Sequence, residues 1–405
     1  MRILMVTDFY APFLGGVEQH VRTLSGELAS RGHDVAVATL GSPGLPASEL
    51  DGRVRVHRVP STTRRFRRVY SKGGRAWTPP FPDPEAVQAL YDLIRHRQPD
   101  IVHAHDWLGR SFLPLKAWSR ASLVVSLHYY TMSCAKKSLM YRDAVCSGPA
   151  FAKCLGCAAA HYGPAKGTSV VLGNWLAGAA ERAAVDMFLP VSRAVASGNG
   201  LIGSGLPFRV IPNFLPDDVD RPRTTVGAYV AQLPPDGFSL FVGDLRRFKG
   251  IEVLLSAYAA IADPPPLVLL GKVWPETPRY LPPNVTLLQN WPNHAVMEAW
   301  RRSTLAVVPS IGPEPFGLVV LEAMAMGRPV IASGIGGIPD VVADEDTGLL
   351  VPPGNPIALR QAIERLLADP DLRERMGRSG QQRAHDFRAS KIVPQIENVY
   401  ASLRG

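Results

Sequence analysis

Residues 309–333 read PSIGPEPFGLVVLEAMAMGRPVIAS and contain the pattern that decides the fold of this chain. An apolar run ends at Pro309, a loop rich in glycine and proline carries Glu314, and a helix with one apolar face is predicted from about Phe316. Gly327 ends that helix, and residues 330–332 begin another strand. Strand, loop, helix and strand in this order indicate a parallel α/β unit.

The predicted start of this helix has the chemistry of an anion-binding site. The backbone amides of Phe316, Gly317 and Leu318 are left without helical acceptors, and the helix dipole favours negative charge there. Glu314 precedes the helix and Glu322 lies one turn further in, so two carboxylates flank the amides. The alternative is an ordinary capped helix with two solvated acids. The Gly-containing strand-to-helix junction favours a ligand made of sugar and phosphate groups.

The same alternation of strands and helices extends over the chain, whose 405 residues are enough for two cores. Strands are predicted at residues 3–7, 35–39, 101–105, 123–128, 187–191, 239–243, 267–271, 285–288 and 305–309. We therefore predict two doubly wound Rossmann-like domains, at residues 1–212 and 213–385, facing across a cleft. Residues 213–223 are rich in Pro and Asp and form the predicted hinge. A last helix within residues 386–405 could pack back on the first domain.

Glu314 and Glu322, separated by seven residues with PFGL between them, resemble the signature of family-4 retaining glycosyltransferases (glycosyl transferases group 1), which have the GT-B fold. The resemblance extends to GGVEQHVRTLSGELASRGHDV, IVHAHD, VIPN, FKG and DTGLLVPPGN. It implies transfer of a hexose-type sugar from a UDP- or GDP-sugar to a hydroxyl group. The implied acceptor is a sugar, a lipid-linked glycan or a small molecule, in glycan, glycolipid or natural-product biosynthesis.

The resemblance also implies roles for individual residues. Glu322 would hold the donor ribose, the amides of Phe316, Gly317 and Leu318 would hold the donor sugar and phosphate, and Glu314 would contact the transferred sugar. Catalysis would need no metal or other cofactor, because the departing diphosphate takes the acceptor's proton on the same face of the sugar. The protein then contributes positioning and stabilisation of the leaving charge.

Residues 243–250 read GDLRRFKG and correspond to the stretch that holds the donor diphosphate in the family. Lys249 matches the family lysine, but Asp244 occupies the position of the family arginine. A carboxylate there would repel a diphosphate. Arg246 is our candidate for the missing guanidinium and Arg247 is the alternative, since arginine forks suit phosphate oxygens. In the remaining alternative, both arginines are solvated and only Lys249 contacts phosphate.

Two further candidates follow predicted strands of the first domain. Gly15 and Gly16 lie between the first strand and the first helix, where they either form a backbone loop for the donor phosphates or an ordinary tight turn. His128, in VVSLHYYT, matches the family position next to the transferred sugar, and the resemblance implies that it orients or stabilises that sugar. His103 is predicted to be structural, and His105 lies at the same strand end.

All four cysteines, Cys134, Cys146, Cys154 and Cys157, fall in one short stretch with the spacing C-x11-C-x7-C-x2-C. Four thiolates that include one C-x-x-C pair could hold a structural zinc ion and fix the loop after His128. The alternative is four free thiols.

The chain has a net charge of +9, and nine basic residues lie between Arg53 and Arg75 without an acid. These residues are either a solvated loop face or a surface for anionic lipid or a phosphate-bearing acceptor. Nucleic acid is disfavoured, because the stretch lacks regular aromatic interleaving. The apolar start is too short for a secretory signal, so we expect a cytoplasmic protein, at the inner membrane face if the basic stretch contacts lipid.

Two other functions remain open at this stage. A nucleotide-sugar epimerase or a phosphorylase-like enzyme of the same fold would also bind a ligand between two domains, although the motif from Glu314 to Glu322 argues against it. A non-enzymatic protein that docks through its basic residues would bind in a salt-sensitive way and have no affinity for a sugar donor.

Overall fold

The computed structural model describes residues 1–13, 15–65, 71–72, 75–76, 78–221, 226–235 and 237–404. The chain divides into two compact units. Unit 1 comprises Met1–Arg142, Cys146–Pro212 and Ile392–Gly405, and unit 2 comprises Asp143–Val145 and Asn213–Lys391.

Unit 1 is built on a seven-stranded sheet that is parallel except for β3. The strands of this unit and of the short ribbons near it are β1 Arg2–Thr7, β2 Asp34–Leu40, β3 Ser48–Asp51, β4 Val54–Val59, β5 Ser71–Lys72, β6 Arg75–Ala76, β7 Ile101–Ala104, β8 Ser122–Leu127, β9 Met140–Tyr141, β10 Ala144–Val145 and β11 Met187–Pro190. The order in the sheet is β11-β8-β7-β1-β2-β4-β3. Successive strands are added on one side of β1 up to β4 and on its other side from β7 onward. This reversal of strand order between β1 and β7 opens a crevice at the carboxyl ends of these two parallel strands.

The helices of unit 1 cover the faces of this sheet. They are α1 Gly16–Ser30, α2 Pro84–Arg97, α3 Phe151–Tyr162, α4 Pro164–Ala184 and α5 Arg193–Gly198, with 3-10 turns at Thr62–Arg64 and Trp107–Leu115. Helix α1 forms where the sequence predicts it, because Val17, Val21, Leu24 and Leu28 recur on one buried face. None of the helices in the described part of the chain is both long and apolar enough to cross a bilayer.

Every strand predicted for unit 1 is confirmed to within about one residue, because each is an apolar run buried on both faces. Strands β3 and β4 were not predicted. Their sequences, SELD and VRVHRV, mix polar and apolar residues without a clear period, and only pairing with the rest of the sheet identifies them as strands.

Strand β4 explains part of the basic stretch. Arg58 is buried, and its guanidinium donates to the carbonyls of Pro46 and Ala11 at 3.1 Å and pairs with Glu49 at 2.5 Å. It therefore has a structural role rather than a surface one. Arg65 pairs with Glu85 on α2. Residues 66–70, 73–74 and 77 lie outside the described residues, so the lipid-binding surface predicted for this stretch stays a prediction.

The last helix, α13 Ala389–Ser402, contributes to unit 1 from Ile392 onward. Tyr400 is fully buried, and its hydroxyl lies 2.6 Å from His103 Nδ1. Glu397 lies 2.8 Å from His33 Nε2. The C-terminal residues are thus part of the core of unit 1.

Tyr400→Phe is expected to lower the free energy of unfolding by about 1–3 kcal/mol, because it leaves His103 Nδ1 buried without a partner. Burial lowers the pKa of His103 to about 3, so the ring is neutral at pH 7 and the loss is that of a neutral hydrogen bond. Urea unfolding at pH 7 measures this change in the free energy of unfolding. Tyr91→Phe, on an exposed tyrosine of α2, is the matched control, and equal unfolding energies for the two variants would contradict the assignment.

Unit 2 is built on a six-stranded parallel sheet. Its strands are β12 Ser239–Val242, β13 Leu267–Leu270, β14 Val285–Leu288, β15 Leu305–Val308, β16 Val330–Ser333 and β17 Gly348–Val351. The order β14-β13-β12-β15-β16-β17 is that of a doubly wound nucleotide-binding sheet, and the reversal lies between β12 and β15. The strands predicted in this half are confirmed.

The helices of unit 2 are α6 Gly227–Val230, α7 Ile251–Ala259, α8 Asn293–Arg302, α9 Leu318–Ala325, α10 Ile338–Val341, α11 Pro356–Ala368 and α12 Pro370–Ala384, with 3-10 turns at Arg247–Lys249 and His385–Phe387. The predicted hinge packs against the chain that leads into α13. Leu215 pairs with Arg388, whose guanidinium also reaches Asp220 at 3.0 Å. Pro222 and Arg223, the last hinge residues, lie outside the described residues.

Candidate functional site

The loops that follow β12 and β15 meet at the reversal point of the unit 2 sheet. Gly250, at the end of the first loop, has φ 78°, and a Cβ there would lie 1.8 Å from the carbonyl oxygen of Pro309. Only glycine fits so close to another backbone in this conformation. The amides of Ile311 and Gly312 donate to the carbonyl of Phe248 at 2.8 and 2.9 Å. The GDLRRFKG and PSIGPEPFG stretches are therefore one packed structure.

This packing brings Lys249 and Glu314 together. Lys249 Nζ lies 2.5 Å from Glu314 Oε1, and Ser310 Oγ donates to the same oxygen at 2.8 Å. The Glu314 side chain is nearly buried, whereas the Lys249 side chain is about one quarter exposed. A lysine and a carboxylate separated by 65 residues in sequence thus share one edge of the sheet.

Helix α9 begins at Leu318, two residues later than predicted. The reason is Gly317, which has φ 93° and so cannot be part of a right-handed helix. The amides of Phe316, Gly317 and Leu318 have no acceptor among the described residues. Phe316 is buried and its ring lies 5.9 Å from that of Phe387, which fixes the backbone ahead of the helix.

Glu322 lies one turn into α9. Its carboxylate is partly buried and accepts a hydrogen bond from Asn293 Nδ2 at 3.2 Å. Burial raises the pKa of Glu322 to about 7, and the bond from Asn293 opposes that shift. A carboxylate kept in such a place costs free energy unless a ligand supplies further hydrogen-bond donors.

The two candidate arginines of the GDLRRFKG stretch are already paired. Arg246 Nε donates to Glu276 at 2.8 Å, and its guanidinium lies 4.4 Å from the centre of the Trp274 ring. Arg247 is exposed and pairs with Glu252 at 3.2 Å. Neither guanidinium forms an ion pair with Glu314, so the assignment of Arg246 to the donor diphosphate stays a prediction.

The reversal point of the unit 1 sheet lies at the ends of β1 and β7. Gly15 precedes α1 in an extended conformation, and a Cβ there would lie 2.2 Å from a carboxylate oxygen of Glu18. Asp8 and Asp106 follow the two strands, and Lys137 Nζ lies 3.9 and 3.5 Å from their carboxylates. Burial raises the pKa of Asp106 to about 8, although the charge of Lys137 opposes this.

His128 belongs to a group of buried histidines beside these acids. His105 Nδ1 lies 3.1 Å from His128 Nε2, with the two rings stacked at 5.4 Å. The His20 ring centre lies 4.8 Å from that of His128, and nitrogens of His20, His105 and His128 lie within 4.8 Å of one another. Burial lowers the pKa values of His20 and His105 well below the usual range, so both rings are neutral. His103 binds Tyr400 and Ser126 with its two ring nitrogens.

Three residues of this region were missed by the sequence analysis. His20 was hidden in the apolar face of α1, although its place one turn after Gly16 directs it toward the strand ends. Asp8 directly follows the first buried strand, which is a usable signal for a site. Lys137 comes from an irregular loop, and no pattern in the sequence predicts its contact with Asp106.

Both units are Rossmann-like α/β folds with polar groups at the reversal points of their sheets, and the architecture is that of the GT-B glycosyltransferases. The chain belongs to glycosyltransferase family 4. The model described as Glycosyltransferase Family 4 matches residues 14–218, about half of the chain, and the model described as Glycosyl transferases group 1 matches residues 232–383.

The chain is also similar to individual curated proteins and solved structures, at modest sequence identity. A D-inositol 3-phosphate glycosyltransferase of Corynebacterium glutamicum is 35% identical over 176 residues, which are 40% of this chain and 42% of that one. The match thus spans less than half the length of that curated relative. Among solved structures, sucrose-phosphate synthase from Thermosynechococcus elongatus superimposes with a TM-score of 0.76 at 24% identity, over 99% of this chain and 98% of that one. Anabaena HepE, solved with UDP and glucose, has a TM-score of 0.72 at 17% identity, over 99% and 100% of the two chains.

Proposed function

We propose that this protein is a retaining glycosyltransferase that moves a hexose-type sugar from a nucleoside-diphosphate donor to a hydroxyl group of an acceptor. The observation that carries the proposal is the pair of Lys249 and Glu314, 2.5 Å apart and adjacent to the start of α9. An ammonium group, a carboxylate and backbone amides that have no acceptor among the described residues suit a ligand with a phosphate and a sugar side by side.

Each group has a distinct task in this proposal. Donor phosphates attract the Lys249 ammonium away from Glu314, and the amides of Phe316, Gly317 and Leu318 share the phosphate charge. Glu314, released from the lysine, accepts hydrogen bonds from hydroxyls of the transferred sugar. Glu322 accepts hydrogen bonds from the ribose hydroxyls.

Sugar transfer then consists of one bond broken, one bond formed and one proton moved. The bond between the sugar C1 and the diphosphate oxygen breaks, the acceptor oxygen bonds to C1 on the same face, and the acceptor's proton passes to a diphosphate oxygen. No protein nucleophile is required. The protein lowers the barrier by holding the reacting groups together and by stabilising the leaving diphosphate with Lys249 and the helix amides.

The acceptor side belongs to unit 1 in this proposal. Asp8, Asp106 and Lys137 offer both donors and acceptors for a hydroxyl-rich molecule. His128, which lies 3.1 Å from His105, is the candidate contact of the transferred sugar. UDP is the first nucleotide to test, because Anabaena HepE is solved with UDP and glucose. A GDP-sugar is the second.

Thermal shift against a panel of nucleoside diphosphates and nucleotide sugars tests the donor site. We expect one nucleotide family to raise the melting temperature of the wild type and to have a much smaller effect on Glu322→Ala. Glu374→Ala is the matched control, because this glutamate lies on the exposed face of α12, where it pairs with Arg378 at 3.0 Å.

The absence of any shift in folded wild-type protein would refute the donor site. Release of nucleoside diphosphate that requires an acceptor, with the anomeric configuration of the product matching the donor, supports retaining transfer. Conversion of the bound nucleotide sugar into its epimer without an acceptor would instead identify an epimerase of the same fold.

A further inference from the structure

The four cysteines of the chain converge in unit 1, after the end of β8. Cys134 lies in the loop that leaves this strand, Cys146 follows β10, and Cys154 and Cys157 lie one turn apart on α3. All four are partly buried, none forms a disulfide, and together they line one small open pocket. Every cysteine of a 405-residue chain therefore faces the same small space.

Backbone hydrogen bonds hold Cys134 in place at this pocket. Its amide donates to the carbonyl of Tyr130 at 2.8 Å, and its carbonyl accepts from the amide of Lys137 at 2.9 Å. Lys137 and Leu139 have left-handed φ values of 64° and 52°, which turn the chain around the sulfur. The position of Cys134 at the pocket is therefore set by the fold of the loop.

The other sulfurs are held close to this loop. Cys146 N donates to the carbonyl of Leu139 at 2.8 Å, which connects Cys146 to the loop that carries Cys134. The thiols of Cys146 and Cys157 lie 3.4 and 3.9 Å from the carbonyls of Gly148 and Met140. These hydrogen bonds are long and weak, so both sulfurs could exchange them for a bond to a metal ion.

The four sulfurs line one pocket but are not yet close enough together to coordinate one metal ion. No three of these four described sulfurs lie within 4.8 Å of one another, whereas four thiolates on one zinc ion are about 3.8 Å apart. Rotation about χ1 moves a cysteine sulfur by about 3 Å between rotamers. Side-chain rotation alone can therefore bring sulfurs that line one pocket into contact with one ion.

We propose that Cys134, Cys146, Cys154 and Cys157 bind one zinc ion in a tetrahedral site of four thiolates. Binding releases the four thiol protons to solvent and involves no change of oxidation state. The ion connects the loop after β8 to helix α3, over an apolar cluster in which Cys154 already packs.

Such a site would also hold a residue of the candidate acceptor region. Lys137 lies between Cys134 and Cys146 in sequence, and its ammonium contacts Asp106 at 3.5 Å and the ring of Trp107 at 4.2 Å. Fixing the loop at both ends fixes this lysine. The zinc is thus proposed as a structural ion that positions Lys137, independent of donor binding.

Metal content of the untagged full-length chain tests the proposal. We expect about one zinc per chain by plasma mass spectrometry, released on titration with an organomercurial thiol reagent. The cobalt-exchanged protein should show the strong near-ultraviolet charge-transfer absorption of thiolate ligands. Cys154→Ser and Cys157→Ser should each lower the metal content at least about tenfold, whereas Ser147→Ala, in the same loop, should keep it.

The wild-type measurements stand even if a cysteine variant fails to fold. Zinc-free protein that takes up no zinc when reduced, with all four thiols freely reactive, would overturn the proposal. So would iron with sulfide in place of zinc. Metal that survives the cysteine variants but is lost in His105→Asn would assign the ion to His20, His105 and His128 instead.

Discussion

Lys249→Ala is expected to lower sugar transfer about 100- to 1000-fold, the usual cost of removing one charge-stabilising group at a reacting centre. Lys249 is the one cation that contacts Glu314 among the described residues, and Arg246 and Arg247 are held by Glu276 and Glu252. No neighbouring guanidinium is therefore free to replace the ammonium. The loss should appear in kcat, because the diphosphate charge grows as the sugar leaves.

Arg247→Ala is the matched control for this experiment. It removes a positive charge two residues away, but from an exposed side chain that pairs with Glu252 across a single turn. We expect less than about a threefold change in kcat, since exposed pairs contribute little. Equal losses in the two variants would show that the net charge of the segment, rather than Lys249, stabilises the leaving group. An unchanged rate in Lys249→Ala would remove the lysine from the mechanism.

Local sequence patterns predicted the elements of the candidate donor site well. The spacing of Glu314 and Glu322 around Gly317 is set by one strand-loop-helix unit, so this short stretch of sequence is enough to predict where the two carboxylates lie relative to the helix start. Gly250 next to Lys249 belongs to the same kind of local signal. The predicted helix began two residues early because the left-handed conformation of Gly317 cannot be distinguished from a flexible helix start in sequence alone.

Contacts between distant segments could not be predicted in the same way. Arg246 was a candidate for phosphate because it is near Lys249 in sequence, yet it pairs with Glu276, 30 residues away, over the ring of Trp274. His20 lies on α1 and His128 after β8, and only the strand order of the sheet brings them together. Such pairings depend on topology, which a residue pattern does not specify.

Glu322→Gln is expected to change donor affinity and stability in opposite directions. Burial raises the pKa of Glu322 to about 7, from an ordinary value of 4.5. Between these two values the folded chain holds a proton that the unfolded chain has lost, so the free energy of unfolding falls as pH rises from 4.5 to 7. Above pH 7 the buried carboxylate costs about 3 kcal/mol, from about 1.4 kcal/mol per pKa unit. Glutamine is neutral throughout and can still accept from Asn293.

The variant should therefore be more stable than the wild type at pH 8, by up to about 3 kcal/mol, and nearly equal to it at pH 4.5. Its affinity for the nucleoside diphosphate should fall about 10- to 100-fold at pH 8, since hydrogen bonds to a charged group contribute about 1.5–3 kcal/mol. Denaturant unfolding at the two pH values and calorimetric titration with the nucleotide measure both effects. Glu374→Gln, on the exposed surface of α12, should change neither. A loss of stability in Glu322→Gln at pH 8 would mean that the carboxylate stabilises the fold. A gain in stability together with a loss of affinity means that the unliganded protein keeps an unfavourable charge because donor binding requires it.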